Sequence, residues 1–539
     1  MSFLSILEEK LQAQTSTKTI KTIKDLPNPS TLRNVFKAAK RIIEQLSNGK
    51  RMLIVGDYDC DGIMATTILY SFLMDAGYSD FLVGYIIPSR LRDGYGVSPN
   101  IIDYALHNSY DFIVTVDNGI SALEAVDYAN DNNIEVIITD HHTAPAKLPN
   151  AYTIVNPRVE GETFPFPWIS GATVAWYLVA ALKKELGMDL DIGQYLDFVA
   201  ITVMSDVMPL DDINLALLKY GLKEIKKRNR LYYRLLWNDW RAPTINETSL
   251  SFDLVPRINA IGRIDDANMA VEMLLSSDEQ KFKKFFTEMD HINEERKTLS
   301  REYIKEAIDM WQTSEAKANG EKVIIIKSDH FHEGIVGIIA GKLAEKFGLP
   351  AYVLSYNKEK GIYKGSARSV GEVHLYNLTQ KIEKEVLGFG GHKGAVGLAV
   401  ASASWDEFAE ALQNEAREIP ADDFIDHDKE PILCNIEDIN LDFWTLLQKY
   451  APYGEGNPAP IFRTTATIIQ DRRMKDGLHF SAKLLYNGAE NAGVFFNVDE
   501  KIFLEKIKQG AQTFTFNPSL KYDLRDNSFS MQLLGTLDD

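Results

Sequence analysis

The chain has 539 residues, 45% hydrophobic and 25% charged, a composition that admits several globular domains and excludes a disordered or fibrous chain. Its formal net charge of −18 means that any contact with a polyanion has to rest on local basic groups. Cys60 and Cys434 are the only cysteines, so a disulfide framework is excluded, and no apolar run approaches the roughly 18 residues of a membrane-spanning helix.

The first 14 residues mix apolar and charged side chains without a basic leader, and a reducing cytoplasm is the expected compartment. Residues 1–45 read as an N-terminal helical segment around a Pro-containing loop. Apolar runs at 52–56, 81–87, 112–116 and 136–139 then alternate with helical periods at 63–76, 99–107 and 122–132. Near-continuous apolar strands with helical crossovers predict a parallel sheet covered on both faces, an α/β domain over 46–210. A helical connector is expected over 211–315; within it, 278–311 has no Gly or Pro and reads as one long helix. A second, smaller α/β domain is expected over 316–405, with strands at 322–327 and 351–355 and a glycine-rich end at 388–397. After an acidic linker at 406–431, short strands at 462–469, 480–485, 492–496 and 513–518 predict a small β-barrel over 432–539. Lys223, Lys226, Lys227, Arg228, Arg230 and Arg234 form one basic cluster, and Arg472, Arg473 and Lys475 a second; each fits either a solvated face or a DNA-facing surface.

Three predicted strands run into an aspartate: Asp57, Asp117 and Asp140. Ligands of open parallel sheets bind at the carboxyl ends of strands, so carboxylates from distant positions are delivered to one rim. Asp59 and Asp61 crowd the first position, His141 and His142 the third, and Asp206 closes the apolar stretch at 198–205. Two like charges about 4 Å apart repel by about 4 kcal/mol at an effective dielectric near 20, so converging acids need cations to neutralise them. Hard oxygen ligands with one or two imidazoles suit Mn²⁺ or Mg²⁺. The Asp57-x-Asp59-x-Asp61-Gly62 run also matches the start of a calcium-binding EF-hand loop, but Ile68 stands where that loop needs its bidentate Glu, and a strand precedes it in place of a helix. Two cations about 3.5–4 Å apart would activate a water and clamp an in-line phosphoryl displacement without a protein nucleophile.

Asp57-x-Asp59-x-Asp61-Gly62, Val116-Asp117-Asn118-Gly119, Asp140-His141-His142 and Ser205-Asp206 resemble, in order, the four acidic motifs of the DHH phosphoesterase superfamily. Further runs resemble the RecJ family within it: Pro88-Ser89-Arg90 with Gly94-Tyr95-Gly96, Pro256-Arg257-Ile258-Asn259-Ala260 with Gly262-Arg263, Gly365-Ser366-Ala367-Arg368-Ser369, Gly388-Phe389-Gly390-Gly391-His392, and Pro452-Tyr453-Gly454-Glu455-Gly456-Asn457-Pro458. The resemblance implies a DHH domain and a smaller DHHA1 domain joined by the helical region, with an OB-fold β-barrel at the C-terminus. It implies that Asp59 and Asp117 hold one metal and that Asp61, Asp117, His141 and Asp206 hold the other. Asp57 and Asp140 would be ligands or orienters, and His142 would assist at the scissile phosphate as donor or proton carrier. Arg90, Arg257, Asn259, Arg263, Arg368, Gly390, Gly391 and His392 would contact the substrate. The implied activity is a 5′→3′ exonuclease that releases mononucleotides from single-stranded DNA with two Mn²⁺ or Mg²⁺ ions, in repair and recombination, with a helicase and a single-strand binding protein as partners and no membrane. Two alternatives share the motifs: a phosphodiesterase for short oligonucleotides or cyclic dinucleotides, and a non-catalytic replication scaffold.

Overall fold

The structure, a computed structural model, describes residues 2–15, 20–89, 96–237, 244–264, 267–425, 431–474, 479–495, 500–523 and 528–537. The chain divides into two compact units, one formed by Met1–Asp290 with Pro431–Asp539 and the other by His291–Glu430. Among the described residues no helix is long and apolar enough to cross a membrane.

The first unit opens with helices α1 (Phe3–Thr15) and α2 (Val35–Ser47), followed by strands β1 (Met52–Val55), β2 (Val83–Ile86), β3 (Phe112–Val116), β4 (Glu135–Thr139) and β5 (Thr153–Val155). All five strands pair in parallel, in the order β2-β1-β3-β4-β5. Helices α3 (Cys60–Asp75), α4 (Pro99–His107) and α5 (Leu123–Asp131) make the crossovers. Alternation along each strand sends Ile54, Val114 and Ile137 into one core and Leu53, Val55, Ile113, Val136 and Ile138 into the other. The second of these cores is closed by α4 and α5. The first is closed by α2 and α3 together with α6 (Gly171–Leu186), α7 (Leu196–Ser205) and α8 (Asp212–Lys227). Burial on both faces is why these strands read as apolar runs without alternation.

Beyond α8 come α9 (Leu231–Leu236), α10 (Glu247–Ser249), a π-turn at Leu250–Leu254, α11 (Val255–Ile264), α12 (Asn268–Leu275) and the long α13 (Glu279–Gln312). In the first basic cluster Lys223, Lys226 and Lys227 are exposed, whereas Arg230 is not. Arg230 turns inward, its Nε 2.5 Å from Oδ2 of the buried Asp197, which also accepts from the Tyr233 hydroxyl at 3.1 Å. Lys227 pairs with Glu224.

The second unit contains α14 (Glu315–Ala318), β6 (Ile324–Ser328), α15 (Val336–Phe347), β7 (Ala351–Asn357), β8 (Ile362–Arg368), α16 (Leu375–Lys381), β9 (Gly388–Gly391), β10 (Ala395–Ala401) and α17 (Trp405–Arg417). Its five strands run in the order β6-β7-β8-β10-β9. The glycine-rich end at 388–397 is mostly an antiparallel β9–β10 pair.

The C-terminal part of the first unit has β11 (Ile432–Leu433), α18 (Leu441–Tyr450), β12 (Phe462–Arg473), β13 (Phe480–Tyr486), β14 (Ala489–Phe495), α19 (Glu500–Lys508), β15 (Ala511–Asp523) and β16 (Ser528–Leu537). They pair in the order β11-β12-β13-β14-β16-β15, and an added β12–β15 pairing closes a barrel around Phe462, Phe480, Phe495, Phe514 and Phe516. The N-terminal residues 1–45, expected to act as one helical segment, divide between two cores: Leu7 and Leu11 of α1 pack with Phe443 and Leu447 of α18, whereas α2 packs with the parallel sheet. The Pro452–Pro458 run, preceded by a cis Ala451–Pro452 bond, docks against Met204, Pro209 and Leu210, which flank Asp206 in the chain. There the Leu210 amide donates to the Glu455 carbonyl at 2.6 Å, the Tyr453 amide donates to Glu247 at 3.2 Å, and Asn457 holds the run from within by donating to the Pro452 carbonyl at 2.8 Å.

Arg230 braces the start of α7, whose far end carries Asp206. Arg230→Ala leaves Asp197 as a buried, uncompensated charge and is expected to cost about 3 kcal/mol, read as a lower melting temperature. An unchanged melting temperature would return Arg230 to the surface.

Candidate active site

Each acid reaches the rim for a local reason. Asp57 follows β1 by two residues, Asp117 follows β3 directly, and the Asp140-His141-His142 triplet follows β4. Asp59 is the N-cap of α3, its Oδ1 accepting from the amides of Asp61 at 2.9 Å and Gly62 at 3.2 Å. Gly62 is required because a Cβ there would lie 2.4 Å from the Asp57 backbone. Asp61 faces the N-terminus of α6, accepting from the amides of Gly171 at 2.6 Å and Ala172 at 2.9 Å. A helix N-terminus offers unpaired amides and a favourable dipole to a carboxylate. Gly171 lets that helix end approach, since a Cβ would sit 2.4 Å from Asp117 Oδ1. Asp206 caps the C-terminus of α7 and is followed by Val207 at φ +51, a strained value for a β-branched residue.

The strand ends are locked to one another. Asn118 donates to the carbonyls of Val55 and Val116, each at 2.9 Å, and accepts from the Val97 amide at 3.1 Å. Thr139 donates to the Thr115 carbonyl and Thr115 to the Asn118 carbonyl, both at 2.7 Å.

The outcome is a tight constellation. His141 Nε2 lies 3.1 Å from Asp117 Oδ1, 3.7 Å from Asp61 Oδ2 and 3.6 Å from Asp206 Oδ2. Two groups, Asp61 with His141 and Asp206 and Asp57 with Asp59 and Asp117, each keep their candidate ligand atoms within 4.8 Å of one another, as does the set of Asp117, His141 and His142. Asp117 stands between the two groups. Asp57, Asp61, Asp117, Asp140 and His141 are buried. Asp57 Oδ1 is buried without a hydrogen-bond donor, which fits a carboxylate that takes a cation. Asp140 differs: its Oδ2 accepts from the Ile120 amide and its Oδ1 from the amides of His141 and His142 and from His142 Nδ1 at 2.7 Å, bonds that orient the histidine pair.

Burial and the neighbouring carboxylates hold Asp57, Asp117 and Asp206 above the usual carboxylate range, and burial with the Asp59 charge lifts Asp61 to about 7. His141 is pushed down to about 3 by burial and the adjacent His142, and a hydrogen bond to the main chain of Ile169 fixes its other ring nitrogen. Nε2 is therefore a neutral donor atom aimed at the acids. Burial opposes the charge on His142, yet its bond to Asp140 prevails and lifts it to about 9. The oxygen-rich donor set with one imidazole fits Mn²⁺ or Mg²⁺.

Three family models match in succession: the DHH family N-terminal domain at residues 51–203, the DHHA1 domain at 320–418 and the RecJ OB domain at 432–534. A solved structure of exonuclease RecJ bound to manganese is 30% identical, with a TM-score of 0.60 and coverage of 74% of this chain and 97% of that one. The chain belongs to the RecJ family. The RecJ–Mn²⁺ complex of Thermus thermophilus superposes with a TM-score of 0.77 at 25% identity, covering 99% of this chain and 76% of that one. The single-stranded-DNA-specific exonuclease RecJ of Bacillus subtilis (strain 168) is 32% identical over 83% of this chain, which spans 56% of that protein's length. The Haemophilus influenzae RecJ is 29% identical over 95% of this chain and 92% of its own length.

The residues expected to contact substrate distribute differently from the acids. Arg90 lies outside the described residues, as does the side chain of Arg263. Arg257 on α11 is bound to Asp290 at 2.6 Å and to the Asp253 carbonyl. Asn259 accepts from the Cys60 amide at 2.9 Å, so it anchors the first turn of α3 and its acceptor is already engaged. In the second unit, Arg368 donates to Ser366 Oγ at 2.6 Å and the Ala367 carbonyl at 2.8 Å. Gly390 and Gly391 lie on β9; Gly390 has open space at the Cβ position, whereas Gly391 sits at φ +147 against the Ala395 carbonyl. The His392 amide pairs with Ala395, and its imidazole accepts from the Gly394 amide at 3.2 Å. Sequence reasoning missed the α6 N-terminus as the seat of Asp61, although Ser170 before an apolar run is a capping signal.

Because the Asp61 carboxyl, lifted to about 7, keeps its proton up to near neutrality, a cation must displace it. Mn²⁺ affinity is expected to rise steeply with pH up to about 7, by about tenfold per unit for each proton released, and to level off above. The same raised values give the metal-free protein stability at low pH that is lost as pH rises through about 7. Calorimetric Mn²⁺ titration and melting curves across this range check both signs; a pH-independent affinity would contradict the protonated acid cluster.

Proposed function

We propose that the chain is a metal-dependent 5′→3′ exonuclease on single-stranded DNA. The observation that carries this reading is the position of Asp117 between two ligand groups, Asp57 with Asp59 on one side and Asp61, His141 and Asp206 on the other. Bound divalent cations at these groups supply an activated water and charge neutralisation for in-line displacement at phosphorus. As the new P–O bond forms and the phosphodiester P–O bond breaks, the leaving oxygen needs a proton. His142, charged through its bond to Asp140, is suited to donate to a phosphate oxygen or to that leaving group. Arg368, desolvated and without a carboxylate within ion-pairing distance among the described residues, suits an anion contact in its own unit; Gly390, Gly391 and His392 are assigned to the same task. The closed C-terminal barrel is suited to bind the single strand.

We assign the parallel-sheet domain to 46–210, the helical connector to 211–315, the DHHA1 domain to 316–418, so that α17 joins it and the linker expected at 406–431 begins later, and the barrel to 432–539. A cytoplasmic role in repair and recombination, beside a helicase and a single-strand binding protein, goes with this reading.

The decisive experiment is digestion of long single-stranded oligonucleotides labelled at either end, with Mn²⁺, Mg²⁺ or EDTA. Release of the 5′ label as mononucleotide with Mn²⁺ or Mg²⁺ and none with EDTA is expected. Cleavage of a dinucleotide but not of the long strand would replace the reading with a short-oligonucleotide phosphodiesterase. Cleavage-free wild type indistinguishable from Asp117→Ala would make the chain a scaffold.

Asp61→Ala, Asp117→Ala and His141→Ala each remove a ligand and are expected to lower kcat by at least about 100-fold. Asp140→Asn keeps the ligands but weakens the charge on His142, with an expected loss of about 10–100-fold. Full activity in all four variants would put the chemistry elsewhere.

A further inference from the structure

We propose that Arg158 and Trp168 form a nucleotide subsite on the rim of the metal centre, with the guanidinium taking a phosphate oxygen and the indole stacking on a base. The proposal deepens the reading of the site as a nuclease centre and rests on it.

Arg158 follows β5 and is fixed by short links to the histidine pair. Its amide donates to Asn156 Oδ1 at 2.8 Å, and Asn156 in turn donates to the His142 carbonyl at 3.0 Å. Nη1 lies 3.4 Å from the His141 carbonyl and Nη2 lies 2.5 Å from Thr143 Oγ1. These two bonds leave three of the five guanidinium N–H groups for another acceptor. Among the described residues no carboxylate lies within ion-pairing distance of Arg158, although it sits in the field of Asp140 and Asp206. A half-buried guanidinium without a counter-ion, beside an acidic rim that cations neutralise, suits an incoming phosphate.

The guanidinium carbon lies 4.0 Å from the Trp168 ring centroid. Trp168 is 46% exposed, unusual for the largest apolar side chain. Its segment is nonetheless rigid. The Trp168 carbonyl accepts from Asn214 at 2.6 Å, Ile169 holds the His141 ring, Ser170 caps α6, and the amides of Gly171 and Ala172 hold Asp61. Both members of the pair are thus bound, within four residues of chain, to groups that hold ligands in place. An exposed aromatic ring on a rigid segment stacks bases without regard to sequence.

The bland alternative is that Arg158 only braces the 141–143 turn. The two are separated by measuring Mn²⁺ affinity, melting temperature, and KM and kcat on single-stranded oligonucleotides at several salt concentrations. Arg158→Gln keeps donors for the His141 carbonyl and Thr143 while losing the charge. It is expected to reduce the slope of log affinity against log salt by about 0.7, one phosphate on a single strand, with Mn²⁺ affinity retained. Trp168→Ala is expected to raise KM about tenfold and Trp168→Tyr to recover most of it. An unchanged salt slope together with KM within twofold of wild type would overturn the subsite, as would a loss confined to Mn²⁺ affinity or melting temperature. If wild type cleaves dinucleotides but not long strands, the exonuclease reading fails while the subsite is still judged by the same variants on the dinucleotide.

Discussion

Mutual repulsion among buried carboxylates is the condition the rest of the first unit is built to withstand. Each close pair costs about 4 kcal/mol at an effective dielectric near 20, a large fraction of the stability of an ordinary domain. Protonation removes the repulsion at low pH and divalent ions remove it near neutrality, so the rim exchanges protons for metal. Asp117, shared between the ligand groups, is where the two forms of neutralisation meet.

Holding such a rim demands stiff elements behind it. Two helix N-termini face it, one capped by Asp59 and the other supplying amides to Asp61. Asn118 ties the end of β1 to that of β3, and the Thr115–Thr139 link ties β3 to β4. Asn259 reaches from α11 to the first turn of α3. Strain at Asp117, with φ +63, and at Val207 is tolerated because these surrounding bonds over-determine the backbone. Catalysis at a metal centre depends on this kind of outer support as much as on the ligands themselves.

Much of this was legible in the sequence for physical reasons. β1, β3 and β4 are buried on both faces, so apolar runs marked them, and the residue after each run pointed to the rim. The long helix α13 was legible almost to its ends because nothing in 278–311 breaks a helix. Strands β8, β9 and β10 were not, since glycines at 365, 388, 390, 391 and 397 erase the two-residue alternation that a half-buried strand displays. β5 spans three residues, too few for a periodic signal. Side-chain partnerships were the least accessible: the contact of Arg257 with Asp290 and the stacking of Arg158 on Trp168 come from tertiary packing that no local pattern records.

The docking of the Pro452–Pro458 run has a consequence for biosynthesis. The carbonyl that receives the Leu210 amide belongs to Glu455, so this link joins parts of the chain translated far apart. A ribosome-bound polypeptide that has exposed Asp206 but not Glu455 lacks this support, and closing so long a loop is slow compared with local folding. Vectorial translation therefore leaves the segment after Asp206 without this hydrogen bond until the chain through Glu455 has emerged.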